Sequence, residues 1–341
     1  MRYIGSKASL LSEIRATVSA EAPNSVVLCD MFAGTGIVGR EFKASHQVIS
    51  NDILYFAFVI NAAYIGLPEM PTFTKLKRSI KHDPIDFLNS ISVNESEVNE
   101  EDFMAISYSP MGKERRQYLT ISNALKIDKI RQTINHWLNA DQITQSEFYY
   151  LLTALIECVP AVSNTTGTYG AFLKHWDKRA LKPLKLCHLE IIKSTHNNLV
   201  FNSDANNLID SIKGDILYLD TPYNGRQYSS NYHLLESLAL YDQPALQGVT
   251  GTRVDNAGHS AYCQKSSVIF SYDQLLSKAN FNTIVISYSS DGILSEDQLI
   301  EMAKKYGKPD TLSIKKVPYR RYKRTANDDR NVVEYLIAIT K

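Results

Sequence analysis

The stretch Val26-Val27-Leu28-Cys29-Asp30-Met31-Phe32-Ala33-Gly34-Thr35-Gly36-Ile37-Val38-Gly39 decides the fold. Residues 26–30 form a short apolar run ending in an acid, which reads as a buried strand. Glycines 34, 36 and 39 match G-x-G-x-x-G, and Ile37 to Lys43 reads as the start of a helix. Glycines there let the backbone approach a ligand closely, and a helix N-terminus offers free N–H groups. Upstream, Leu10, Leu11, Ile14 and Val18 fall at helical spacing within 8–20. Downstream, Gln47 to Asn51 reads as a second strand, ending at Asp52, where a carboxylate can hold ribose hydroxyls. Strand–helix–strand alternation implies a parallel sheet.

The α/β rhythm stops after Pro68. Residues 94–102 are acidic and read as an exposed loop; 114–137 and 145–159 read as helices; 174–193 are rich in Lys and Arg. The rhythm returns at Leu199. Asp215 to Asp220 and Thr283 to Tyr288 read as buried strands, and Leu312 to Val317 with Val332 to Thr340 as a closing antiparallel pair. The expected fold is α/β, a Rossmann-like, mostly parallel sheet with an antiparallel hairpin. Residues 1–66 and 199–341 would form this domain, interrupted by a mainly helical insert over 67–198, a plausible size for a small domain.

Composition excludes several classes. With 341 residues, 44% hydrophobic and 21% charged, the chain is ordinary globular material. Lys+Arg is 37 and Asp+Glu 36, so a uniformly basic nucleic-acid coat is excluded while a local basic groove is not. Four cysteines, none in a CxxC pair, exclude a zinc ribbon or thioredoxin motif. The histidines show no paired-ligand spacing, so no metal is expected. No 18-residue apolar run occurs, and a soluble cytoplasmic protein without membrane contact is expected.

Asp220-Thr221-Pro222-Tyr223 closes the third strand. Ligands of a parallel sheet bind at the carboxyl ends of its strands. There a planar, amine-bearing base could stack on Tyr223 while Asp220 and a neighbouring carbonyl accept its amino hydrogens. An aromatic exocyclic amine is a poor nucleophile because its lone pair is delocalised. Two acceptors favour a pyramidal nitrogen, and Asp220 stabilises the charge that develops on it. Asp30 at a strand tip suits a cationic amino group and would repel a pyrophosphate. On these residues alone, a dinucleotide oxidoreductase, a ligand-free βα turn and an ordinary Pro turn all stay open.

Taken together, the motifs resemble DNA adenine-N6 methyltransferases of the Dam-like class, nearest their FokI-type branch, over nearly the whole chain. Arg2 to Lys7 resembles the class's N-terminal motif, D-M-F-A-G-T-G its S-adenosylmethionine loop, Ser50-Asn51-Asp52 its ribose-binding acid, and DTPY its catalytic D-P-P-Y. Asn224 to His233, Asn164 to Lys174 and Tyr319 to Arg324 also look like that branch. Thr221 departs from the usual Pro but keeps the carbonyl. The resemblance implies catalysis by Asp220, Thr221, Pro222 and Tyr223. It implies cofactor contacts from Tyr3, Lys7, Asp30, Phe32, Gly34, Gly36, Asp52, Asp204 and Asp220.

The implied substrate is adenine flipped from double-stranded DNA, with S-adenosyl-L-methionine as cofactor and a cognate restriction endonuclease acting separately. Flipping costs a few kcal/mol, of which stacking on Tyr223 returns about 1–3 kcal/mol. Candidate DNA contacts are Asn164, Lys174 and Arg226, and the basic, aromatic stretch with Arg320, Arg321, Lys323 and Arg324. Lys113, Arg115, Arg116 and Arg253 are further candidates, and the 67–198 insert is the expected target-recognition domain. Cytosine ring methylation is disfavoured because no Pro-Cys pair occurs. Cytosine N4, an RNA or protein amide, the oxidoreductase and a catalytically dead DNA-binding module remain alternatives.

Overall fold

The structure, a computed structural model, describes residues 3–255, 258–318 and 332–341. It divides into two compact units, each assembled from separated segments.

The α/β unit comprises Ser6–Ile53, Ser194–Gln227 and His259–Lys341. Its strands are β1 (Val27–Asp30), β2 (Gln47–Asn51), β3 (Leu199–Phe201) and β4 (Lys213–Leu219). After two short strands of the other unit, β5 (Leu246–Gln247) and β6 (Thr252–Arg253), come β7 (Asn280–Ser289), β8 (Ser313–Pro318) and β9 (Val333–Thr340). The sheet order is β3-β2-β1-β4-β7-β9-β8. β3 to β7 run parallel, and β9 is antiparallel to both β7 and β8. This is the expected Rossmann-like arrangement with its antiparallel hairpin. The central strands read as continuous apolar runs because a parallel sheet is covered on both faces. Alternate residues Leu217 and Leu219 of β4, Ile284 and Ile286 of β7, and Ile337 and Ile339 of β9 share one cluster with helices Val268–Lys278 and Glu296–Tyr306. Each such fully buried side chain contributes roughly 1.5–3 kcal/mol of transfer free energy. Ser295 and Gln298 form a capping box at the start of the second helix.

The helical unit comprises residues 3–5, Leu54–Lys193 and Tyr228–Gly258. Its longest helices are Ile121–Asn139 and Gln145–Cys158, the first starting later than composition suggests because Thr120 caps it. Residues 163–193 form neither helix nor strand. The division of the chain differs from the composition-based boundaries of 67 and 198. Helix Tyr55–Asn61 packs on Gln145–Cys158 and on Tyr228–Leu240. The buried Glu236 carboxylate accepts the N–H groups of Tyr55 and Phe56, each at 2.9 Å, which fixes that helix start to the helical unit.

Candidate active site

Strand order reverses between β1 and β4, which are neighbours although the chain goes from β1 outward to β2 and β3 first. Helical crossovers leave such a point in opposite directions and open a crevice at the carboxyl ends of the two strands. The Met31 N–H donates to the Tyr218 carbonyl at 3.2 Å, locking these ends together. Asp30 and Asp220 therefore belong to one crevice.

On the β1 side the glycine loop turns through left-handed backbone at Gly34 (φ 53°) and Gly36 (φ 73°), where a side chain would cost about 1–2 kcal/mol. The Gly34 N–H donates to Asp52 Oδ2 at 2.8 Å, and the Ala33 N–H to the Asn51 carbonyl at 2.9 Å. Asn51, buried, donates from Nδ2 to the Met31 and Ser203 carbonyls. Asn202 Nδ2 binds the Asp52 carbonyl at 2.8 Å. Asn51 and Asn202 hold the loop and Asp52 in place, a task that a polar residue at a strand end does not announce. Phe32 packs edge-on against Tyr262, with ring centroids 4.8 Å apart. Asp204 caps helix Ala205–Leu208 through the N–H groups of Asn206 and Asn207.

Asp30 is almost fully buried and accepts the Gly39 N–H. Burial, reinforced by the charges of Asp220 and Asp52, pushes its pKa up to about 8, so its carboxyl is largely protonated at neutral pH.

On the β4 side, Lys7 is buried and its Nζ lies 2.8 Å from Asp220 Oδ1 and 3.0 Å from Glu334 Oε1. Burial works to discharge Lys7, but the two carboxylates outweigh it and hold the ammonium above its ordinary pKa. Asp220 is raised above the ordinary carboxylate range by burial, against which Lys7 works and to which Glu334 adds. Glu334 also accepts from Ser287 Oγ at 2.7 Å. The Thr221 hydroxyl is buried and pairs with the Tyr272 hydroxyl at 2.6 Å. Tyr223 is half-buried, edge-on to Tyr288 and 5.7 Å from Lys7 Nζ, with its carbonyl bound by the Ile293 N–H at 3.0 Å. Sequence reading missed Glu334, Ser287 and Tyr272. Only Glu334 left a signal, an acid at an inward position of an otherwise apolar strand.

The α/β unit thus brings together Lys7, Asp30, Phe32, Gly34, Gly36, Asp52, Asp204 and the DTPY residues. Tyr3 belongs to the helical unit, stacked on Tyr232 at 4.7 Å, with its neighbour Ile4 donating to the Tyr232 hydroxyl.

The expected DNA contacts divide. Lys174 and Arg226 are exposed, as are Lys113 and Arg115. Asn164 is fully buried. Its Oδ1 accepts the Asp177 N–H at 2.9 Å and its Nδ2 binds the Leu173 carbonyl at 3.0 Å, so its amide is spent closing its own loop. Arg116 is likewise buried and binds the carbonyls of Ser107, Gly248 and Val249, and Arg253 is paired with Asp242 and Asp255. Arg320, Arg321, Lys323 and Arg324 lie outside the described residues. Among the described residues, no helix is long and apolar enough to cross a membrane, and no cluster of His, Cys, Asp or Glu is placed to hold a metal ion.

The family model for D12 class N6 adenine-specific DNA methyltransferases matches residues 3–302. The chain is 46% identical over its whole length to the type II methyltransferase M.FokI of Planomicrobium okeanokoites and 41% identical to the modification methylase StsI of Streptococcus sanguinis. It spans about half the length of these relatives, 53% and 52%. It is also 39% identical to the type II methyltransferase M.NlaIII of Neisseria lactamica, of which it covers 99%.

Proposed function

The chain belongs to the D12 class of N6 adenine-specific DNA methyltransferases, and from that premise we propose that it methylates the N6 amine of a flipped adenine in duplex DNA, using S-adenosyl-L-methionine. The observation that carries the proposal is the convergence of the glycine loop, Asp30 and Asp52 with the Asp220-Thr221-Pro222-Tyr223 strand end in the crevice between β1 and β4.

The donor set fits the cofactor. Four carboxyl groups, Asp30, Asp52, Asp220 and Glu334, face the single ammonium of Lys7, and a cationic ligand favours their ionised forms, so the crevice suits a ligand with cationic groups and disfavours a pyrophosphate. Asp30 and the glycine loop would hold the amino-acid part, Asp52 the ribose, and Phe32 and Asp204 the adenine side. When bound, the cofactor supplies an electrophilic methyl group on a sulfonium. The protein does the rest. Asp220 and the Thr221 carbonyl accept the two amine hydrogens, turning the nitrogen lone pair out of conjugation. Tyr223 stacks on the base. As the nitrogen–carbon bond forms, Asp220 stabilises the charge on nitrogen and takes the departing proton, a role helped by its raised proton affinity. Lys7 holds Asp220 in position through one carboxylate oxygen.

The 54–193 portion of the helical unit, with exposed Lys174, would supply target recognition, and exposed Arg226 would meet DNA beside the strand end. A restriction endonuclease acting separately on the same sequence completes this reading.

Labelled methyl transfer to unmethylated DNA, followed by mapping, tests it. The expected result is N6-methyladenine at one short recurrent sequence. Modification of cytosine N4, or transfer only to RNA or protein, would replace the proposed substrate. Asp220→Ala is expected to abolish transfer and leave DNA binding largely intact; turnover near wild type would refute its acceptor role.

A further inference from the structure

Glu334 lies outside every motif that points to the reaction, yet it is 3% exposed and touches the charged centre directly. Burying a carboxylate is costly unless it is paired and hydrogen-bonded. Here one oxygen, Oε1, receives both the Lys7 ammonium at 3.0 Å and the Ser287 hydroxyl at 2.7 Å. Ser287 and Glu334 come from adjacent antiparallel strands, β7 and β9, so the carboxylate is fixed by the sheet itself. The same ammonium reaches Asp220 at 2.8 Å. One buried cation is therefore shared by two carboxylates, Glu334 buried and Asp220 partly exposed.

We propose that Glu334 is a positioning residue of the methyl transfer, holding Lys7 against Asp220 and retaining the ammonium when Asp220 takes up the proton of the amine. The proposal rests on the methyltransferase reading. In that reaction the nitrogen–methyl bond forms, the sulfur–methyl bond breaks, and the amine loses one proton to Asp220. Once Asp220 is neutral, its hold on Lys7 weakens. Without Glu334, Lys7 would then be a buried ammonium with no adjacent counter-charge, and proton uptake by Asp220 would be opposed. With Glu334 present, the ion pair shifts its weight from one carboxylate to the other. Among the described residues, the groups facing Asp220 besides Lys7 and Glu334 are Asp30 on β1, Tyr218 on β4 and Tyr272 on helix Val268–Lys278.

The test is Glu334→Gln in the full chain, which keeps shape and removes charge. Without the repulsion of Glu334, Asp220 is expected to protonate at lower pH, by on the order of one unit. The carboxyl carbon of Asp220, followed by NMR in protein without cofactor, reads this directly. The acid limb of kcat/KM is expected to move the same way, with kcat down roughly ten- to hundredfold and the KM for DNA little changed. An unmoved Asp220 titration, or a lower kcat with an unmoved pH profile, would overturn the proposal and leave Glu334 as a structural residue.

If Glu334→Gln fails to fold, Ser287→Ala loosens the same carboxylate without removing its charge. It is expected to lower kcat several-fold and to be rescued by Ser287→Thr; no change in kcat overturns the proposal. The titration needs no substrate, so a wild-type protein that methylates nothing refutes the reaction alone, whereas an active wild type with an unshifted variant refutes the role of Glu334 alone.

Discussion

At Asp30 a carboxyl is kept out of water beside other acids. Its native pKa of about 8 lies above the ordinary value of 3.8, so the native state binds more protons than the unfolded chain between those limits. Stability is therefore expected to fall as pH rises from about 4 to about 8 on this residue's account. Asp30→Asn should flatten that part of the Tm–pH curve; parallel curves for the two proteins would refute it. A cationic ligand reverses the preference, because it favours the ionised carboxylate. Cofactor affinity is then expected to rise with pH by at most about tenfold per unit below pH 8, with proton release measurable calorimetrically in buffers of different ionisation enthalpy. The identity of Asp30 was legible, as an acid ending an apolar run. Its protonation was not, because that depends on the burial the fold imposes and on Asp220 and Asp52, acids distant in sequence.

The strand ends show what an element adds to its residues. Thr221, where a Pro would be rigid, is held instead by the Tyr272 hydroxyl, and both groups are buried. Removing one hydroxyl strands the other, at a cost of about 1–3 kcal/mol, while removing both is nearly neutral. Tyr272→Phe and Thr221→Val are each expected to destabilise by that amount, and the double variant by clearly less than the sum. Additive losses in denaturant unfolding would show that the hydroxyls do not depend on each other. The strands themselves were readable because buried parallel strands are continuous apolar runs, and Gln47–Asn51 coincides with its sequence-based bounds. The burial of Asn164 was not legible, because a polar residue in a polar turn carries no sign of its partners. Only the folded loop reveals Leu173 and Asp177 as its partners.

For the whole molecule, the two units alternate along the chain in six segments, so the backbone passes from one to the other five times. Composition could not reveal this, because 54–66 packs against helices far along the chain, with Glu236 among the partners. DNA affinity belongs to this scale too. Replacing Lys174 and Arg226 by Gln is expected to lower the slope of log affinity against log salt by about 0.9 for each phosphate no longer neutralised. An unaltered slope would remove both residues from the DNA. Pairings between distant segments, such as β1 with β4, also predict slow folding.

The position of Glu334 on β9 adds a temporal meaning. During synthesis Lys7 emerges before Asp220, and Asp220 before Glu334. A ribosome-bound chain lacking β9 carries an exposed edge on β7 and an ammonium missing one of its two counter-ions. The charged centre and the interior of the sheet are thus completed by the same strand. Interrupted synthesis would leave an aggregation-prone fragment, open to proteolysis, without the complete charged centre.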